Sequence, residues 1–188
     1  MAVIDVLGGS VAWHVENDDM ASKVLAARWP DAPNHGDAAL VDWAGIEPVT
    51  VVTAGFPCQD VSLAGKRAGM RQGNRTGVWN HVATAIDVLR PSLVYIENVR
   101  GLLSVGADSD VEPCPWCLGD AGAKRPLRAL GAVLGDLADL GYDAEWTTLR
   151  ASEVGACHRR ERVFVLARPA ADADDVRRQR HGQARVGR

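Results

Sequence analysis

A chain of 188 residues has room for one domain and little more. With 47% hydrophobic and 24% charged residues and a formal net charge of −3, it excludes a wholly disordered chain, a collagen-like repeat and a highly basic DNA-coating protein. No run of ~18 apolar residues points to a membrane span, and the N-terminus lacks the pattern of a secretory signal, so the expected location is the cytoplasm.

Four unevenly placed cysteines, Cys58, Cys114, Cys117 and Cys157, are too few for a disulfide scaffold and suit a reducing compartment. The charge is uneven too. Arg177, Arg178, Arg180, Arg185 and Arg188 make the last twelve residues +5, which leaves −8 for residues 1–176.

Residues 2–9 are ambiguous between a strand and the end of a helix stopped by Gly8-Gly9. Val11–Val15 reads as a strand ending at Glu16. Asp18 or Asp19 is expected to cap a helix running to about Trp29 and stopped by Pro30. Val49–Thr53 is a β-branched run opening into Gly55-Phe56-Pro57-Cys58-Gln59. Residues 58–75 read as a long exposed loop.

Val78, Val82, Ile86 and Leu89 recur at helical spacing, so Thr76–Leu89 is expected to be a helix, ended by Pro91. Leu93–Ile96 is the next strand. Residues 105–125 look like an insertion. Leu127, Leu130, Val133, Leu134, Leu137 and Leu140 mark an amphipathic core helix with Gly141 as its stop. Asp143–Leu149 and Arg162–Ala167 read as the last two strands. Strands alternating with helices predict an α/β domain with a mostly parallel sheet.

Three short blocks stand at strand ends: Gly55-Phe56-Pro57-Cys58-Gln59, Glu97-Asn98-Val99 and His158-Arg159-Arg160-Glu161-Arg162. Ligands of open α/β sheets bind beyond the carboxyl ends of the strands. A thiol, an acid and paired cations can face one substrate there.

In this order the blocks resemble DNA cytosine-5 methyltransferases of the bacterial and phage type, over most of residues 11–168. Val15-Glu16-Asn17-Asp18 resembles the acidic motif that holds the ribose of S-adenosylmethionine. Gly36-Asp37-Ala38 resembles the segment contacting the adenine. Pro57-Cys58-Gln59, continued to Gly65, resembles the nucleophile motif, and Glu97-Asn98-Val99 the acid motif. Arg75-Thr76-Gly77-Val78-Trp79 resembles the helix start beside the cofactor. His158 to Arg162 resembles the Gln-x-Arg-x-Arg motif, with His158 in place of glutamine.

The resemblance implies a Rossmann-like methyltransferase fold and methyl transfer to C5 of cytosine in double-stranded DNA, in restriction-modification or phage anti-restriction. Cys58 would attack C6. Glu97 would sit on N3. Arg162 would contact the carbonyl side of the base, and Arg160 would order the site. Asn98 would brace the loop holding Cys58, while Gln59, Ser62 and His158 would face substrate DNA. Glu16, Asp18, Asp37, Ala38, Pro57 and Val78 would line the cofactor. A base inside a duplex is unreachable, so the cytosine must flip out, with the 58–75 loop closing over it.

Other readings stand beside these. Asp37 alone is a turn residue, and Val78 the first core residue of its helix. Cys114-Pro-Trp-Cys117 has the spacing of half a zinc site, which Cys157 and His158 could complete; the expectation is no metal. The family opens with a strand and a glycine-rich loop. Asp5 to Glu16 is too short to hold a loop, a helix and a strand, so residues 2–9 are taken as the first helix's tail and the first strand as missing. Residues 1–168 would then be a partial catalytic domain and 169–188 a basic tail beginning a target-recognition region. The expectation is a monomer when complete, or one of two complementing chains. A non-catalytic remnant and an unrelated cysteine enzyme on a Rossmann-like sheet are the alternatives.

Overall fold

The computed structural model describes residues 2–56, 77–103, 106–107 and 127–171. It divides into two compact units, Met1–Val49 and Thr50–Arg188. Among the described residues no helix is long and apolar enough to cross a membrane.

The first unit opens with α1 (Ala2–Leu7). Gly8 and Gly9 follow with φ of 74° and 95°, and the Gly8 N–H closes the helix on the Ile4 carbonyl at 2.8 Å. Positive φ is the left-handed geometry glycine supplies without strain, so the helix-tail reading of residues 2–9 holds. α2 (Asp19–Arg28) is capped by Asp18, whose Oδ1 accepts the Ala21 N–H at 2.8 Å.

The expected strand Val11–Val15 does not form. Among the described residues its pairing is an isolated parallel bridge between His14 and Asn34, built from His14 N–H to the Pro33 carbonyl and His35 N–H to the His14 carbonyl. Pro33 has no N–H with which to extend a ladder. Aromatic packing holds this segment instead. Trp13 tilts against Trp43 at 6.2 Å and donates its Nε1–H to the Glu47 carbonyl, while His14 lies 5.3 Å from Trp29.

The second unit holds a four-stranded sheet in the order β1-β2-β6-β5. Its strands are β1 (Val51–Gly55), β2 (Leu93–Val99), β5 (Tyr142–Arg150) and β6 (Glu161–Pro169). A separate two-stranded ribbon pairs β3 (Gly106–Ala107) with β4 (Leu127–Arg128). No strand precedes Val51 among the described residues.

α3 (Val78–Leu89) joins β1 to β2, which pair in parallel. Its C-terminus turns at Arg90, φ 49°, immediately before Pro91. α4 (Ala129–Asp139) precedes β5, and Gly141 follows it with φ 83°. β1, β2 and β5 therefore run the same way, and β6 alone is reversed.

Because β6 sits between β2 and β5, two of the three pairings are antiparallel. Three of the four strands still share one direction, as expected of a mostly parallel sheet, and the antiparallel pairings come from the reversed β6 alone. The cause is the connection 151–160, whose one regular element is a 3-10 turn at Ala151–Val154. That is too short for the crossover a parallel return requires.

α3 and α4 cover one face of the sheet. Val94, Ile96, Val163, Val165 and Ala167 are fully buried there with Ile86, Val133 and Leu137. Trp79 of α3 donates its Nε1–H to Asp136 of α4 at 2.8 Å. The opposite face carries Tyr95, Glu97, Arg162 and Phe164, with the Tyr95 and Phe164 rings stacked at 5.8 Å.

Candidate active site

Two groups of the expected residues assemble, one in each unit. In the first unit, Asn34 links the two expected cofactor segments. Its Oδ1 accepts the N–H of Glu16 at 3.0 Å and that of Gly36 at 3.2 Å. Its Nδ2 donates to the Glu16 carbonyl and to Ser22 Oγ. Glu16 Oε1 accepts the Asp18 N–H at 2.9 Å, which directs its carboxylate across the start of α2.

Asp37 closes a turn on the Ala39 N–H through Oδ1 at 2.9 Å, and the carboxylate of Asp18 serves as the helix cap. Ala38 is half-buried beside Asp37. A carboxylate has about four acceptor positions, so Glu16 can take the paired hydroxyls of a ribose besides its own backbone bond. The residues present therefore fit a nucleoside. Asn34 is the member the sequence did not single out; its one clue is its place two residues before Gly36, which has φ 76°.

In the second unit the site forms at the carboxyl end of β2. Glu97 and Arg162 lie on the same open face and pair at 2.6 Å between Oε1 and Nε, with the carboxylate side chain 42% and the guanidinium 20% exposed. The Nε is buried against that carboxylate oxygen. Nη1 donates to the Glu161 carbonyl at 3.0 Å, and the partly exposed guanidinium keeps further N–H groups for a ligand oxygen. Tyr95 stands on the same face. Burial first, and the charge of Glu97 second, push its phenol above the ordinary value of 10.0.

Asn98 points the other way and is buried at 3% exposure. Its Nδ2 donates to the Phe56 carbonyl and its Oδ1 accepts the Val99 N–H, both at 2.8 Å. Phe56 is also packed on Trp79 at 5.1 Å between ring centroids. The last residue before Pro57-Cys58 is thus fixed by a backbone bond and a buried ring. Gly55 faces Glu97 across the ladder, and a Cβ there would meet the Glu97 carboxylate at 3.7 Å, an ordinary contact.

Arg160 is exposed, with its N–H directed to His158 Nδ1 at 3.4 Å and its carbonyl accepting the Ala151 N–H. Neither His158 nor Arg160 joins the Glu97–Arg162 pair. Val78 is half-buried at the start of α3, packed against the core. Pro57, Cys58, Gln59 and Ser62 lie outside the described residues, as do Cys114, Cys117 and the 58–75 loop. Cys157 is exposed and unpaired.

The family model for C-5 cytosine-specific DNA methylases matches residues 3–177. The chain belongs to this family. It is 30% identical over 145 residues to the type II methyltransferase M.NgoBV of Neisseria gonorrhoeae, covering 77% of this chain and 31% of that protein. It is 32% identical over 206 residues to a DNA N-6-adenine-methyltransferase of Escherichia phage P1, covering 89% of this chain and 27% of that protein. The chain thus spans about a third of the curated relatives it matches. Among solved structures, the Dnmt2 methyltransferase of S. pombe superposes with a TM-score of 0.59 at 14% identity, over 89% of this chain and 46% of that one. The α/β, Rossmann-like methyltransferase fold is thereby established.

Proposed function

We propose that this methylase-family chain transfers a methyl group from S-adenosylmethionine to C5 of cytosine in double-stranded DNA, through a covalent adduct on Cys58. The observation that carries it is the Glu97–Arg162 pair on the open face of the sheet, beside the Asn98-braced exit of β1. A flipped cytosine offers N3 to an acid and O2 to a cationic donor, and this pair supplies one of each. Residues 1–168 act as part of the catalytic domain, and 169–188 begin a target-recognition region.

C5 of cytosine is a poor nucleophile. Thiolate addition at C6 turns C5 into an enamine carbon, and protonation at N3 by Glu97 eases that addition. Bound S-adenosylmethionine supplies the electrophilic methyl group. Loss of the C5 proton and expulsion of the thiolate then restore the ring. Glu16 holds the cofactor ribose and Asp37 with Ala38 its adenine, while Pro57 and Val78 line the cofactor further on. Arg162 holds O2 and Arg160 orders its neighbours. Gln59, Ser62 and His158 face the DNA. A thiol titrates near ~8.5, so cationic neighbours favour the thiolate.

The test uses duplex DNA carrying 5-fluorocytosine, whose fluorine cannot leave as a proton does. With cofactor, the chain is expected to form an adduct that survives denaturation, and Cys58→Ser to form none while still binding cofactor. An adduct persisting in Cys58→Ser, or methyl label recovered on adenine, overturns the reading.

A further inference from the structure

At the same end of the sheet, behind Arg162, a second charged group remains unused. Glu161 Oε2 lies 3.4 Å from Arg100 Nη1 and 3.4 Å from Arg150 Nε. The carboxylate side chain is 16% exposed, while the two guanidiniums are 69% and 53% exposed. Arg100 follows β2, and Arg150 lies directly across the ladder from Glu161. Successive strand residues point to opposite faces, so Glu161 with its two arginines backs onto Arg162 without sharing its partner.

We propose that Arg100 and Arg150, set on Glu161, form a two-pronged clamp for the phosphate backbone of the DNA strand entering the active site. This rests on the methyltransferase reading above. Two carboxylates stand beside the two guanidiniums, Glu161 and the Glu153 that accepts the Arg150 N–H at 2.9 Å, so the net positive charge of this edge comes from the exposed Arg159 and Arg160 next to them. Each arginine presents five N–H donors, and a single loose contact to Glu161 leaves most of them for another acceptor. The planar fork matches phosphate oxygens.

His158, Arg159 and Arg160, in the loop entering β6, are exposed as well. Such a cationic rim on a chain whose first 176 residues carry −8 marks an anionic partner. Arg168 and Glu145, at the far end of the same two strands, supply the contrast: they form a one-to-one pair at 2.7 Å with both side chains well exposed.

The test measures binding of duplex DNA to the 188-residue chain by fluorescence anisotropy across a salt series. Arg100→Gln and Arg150→Gln are each expected to lower the slope of log K against log salt by about 1, and the double variant by about 2. Arg100→Lys and Arg150→Lys are expected to retain the slope, and Arg168→Gln to match the parent.

Thermal melts report folding in each variant, and fluorocytosine adduct formation at saturating DNA is expected to persist. Slopes equal to the parent's, or an equal change in Arg168→Gln, overturn the clamp. So does stronger arginine-dependent binding to an RNA hairpin than to the duplex. A parent that forms no adduct while the slopes still shift removes the Cys58 chemistry and leaves the clamp standing.

Discussion

The two candidate sites are built by different means. In the first unit one exposed side chain, Asn34, ties Glu16 to Gly36, and among the described residues the surrounding backbone makes a single β-bridge. In the second, Glu97 and Arg162 are set on the two strands of one ladder, and the buried Asn98 fastens Phe56 at the exit of β1. A site on a ladder inherits the precision of the sheet. A site on one amide depends on that amide. Damage in the first unit should therefore appear as weakened cofactor binding, and damage in the second as lost chemistry or lost stability.

The largest effect is expected at Glu97. Glu97→Gln preserves shape and hydrogen bonding but cannot pass a proton, so methyl transfer should fall by about 10²–10⁴ with DNA binding retained. An unchanged rate in a single-turnover assay would place the acid elsewhere.

Asn98→Ala strips the Phe56 carbonyl and the Val99 N–H of their buried partner. It should cost about 1–3 kcal/mol of stability and reduce adduct yield, with cofactor affinity unchanged. Chemical denaturation followed at Trp79, packed on Phe56, checks this.

Asn34→Ala should do the reverse. Cofactor affinity by calorimetry is expected to fall roughly tenfold, the scale of one or two hydrogen bonds, while the melt of the sheet unit stays in place. Equal effects of Asn98→Ala and Asn34→Ala on both readouts would dissolve the contrast between the units.

The smallest effect is a pH dependence confined to the first unit. Burial holds the His14 imidazole below its ordinary 6.5, so the unfolded chain takes up a proton before the folded one. Stability is full above pH 6.5 and falls as pH drops through the folded-state value. Melts of the parent should be lower at about pH 5.5 than at about 7.5, and His14→Phe should narrow that gap. An equal gap in both would assign it to other groups.

Local order was legible in the sequence where one element carries its own signal. Asp18 caps α2 as expected, and the 78-82-86-89 spacing marks α3 to within two residues of its observed start. Positive φ at Gly8, Gly9 and Gly141 follows from glycine at a helix end. What escaped were features requiring two distant segments. The reversal of β6 depends on where a ten-residue connection leads. Glu97 and Arg162, 65 positions apart, were expected to face one substrate, but nothing in either block says that they pair with each other. Asn34 acts through backbone groups, which leave no mark in residue types. Val11–Val15 looked like a strand by composition, but its neighbour includes a proline.

The placement of β6 also bears on how the protein is made. β2 and β5 do not pair with each other, because their common partner lies between them and follows both in the chain. During synthesis, everything up to Arg150 can emerge without a sheet able to close. Assembly must wait for residues 161–169 to leave the ribosome and slot between two strands already present. Such sequence-distant pairings are slow to form, so the nascent second unit spends an interval with the apolar β2 paired on one edge and β5 without its partner. A chain cut anywhere between 151 and 160 should stay in that state and be drawn to chaperones, whereas one cut after Pro169 should release.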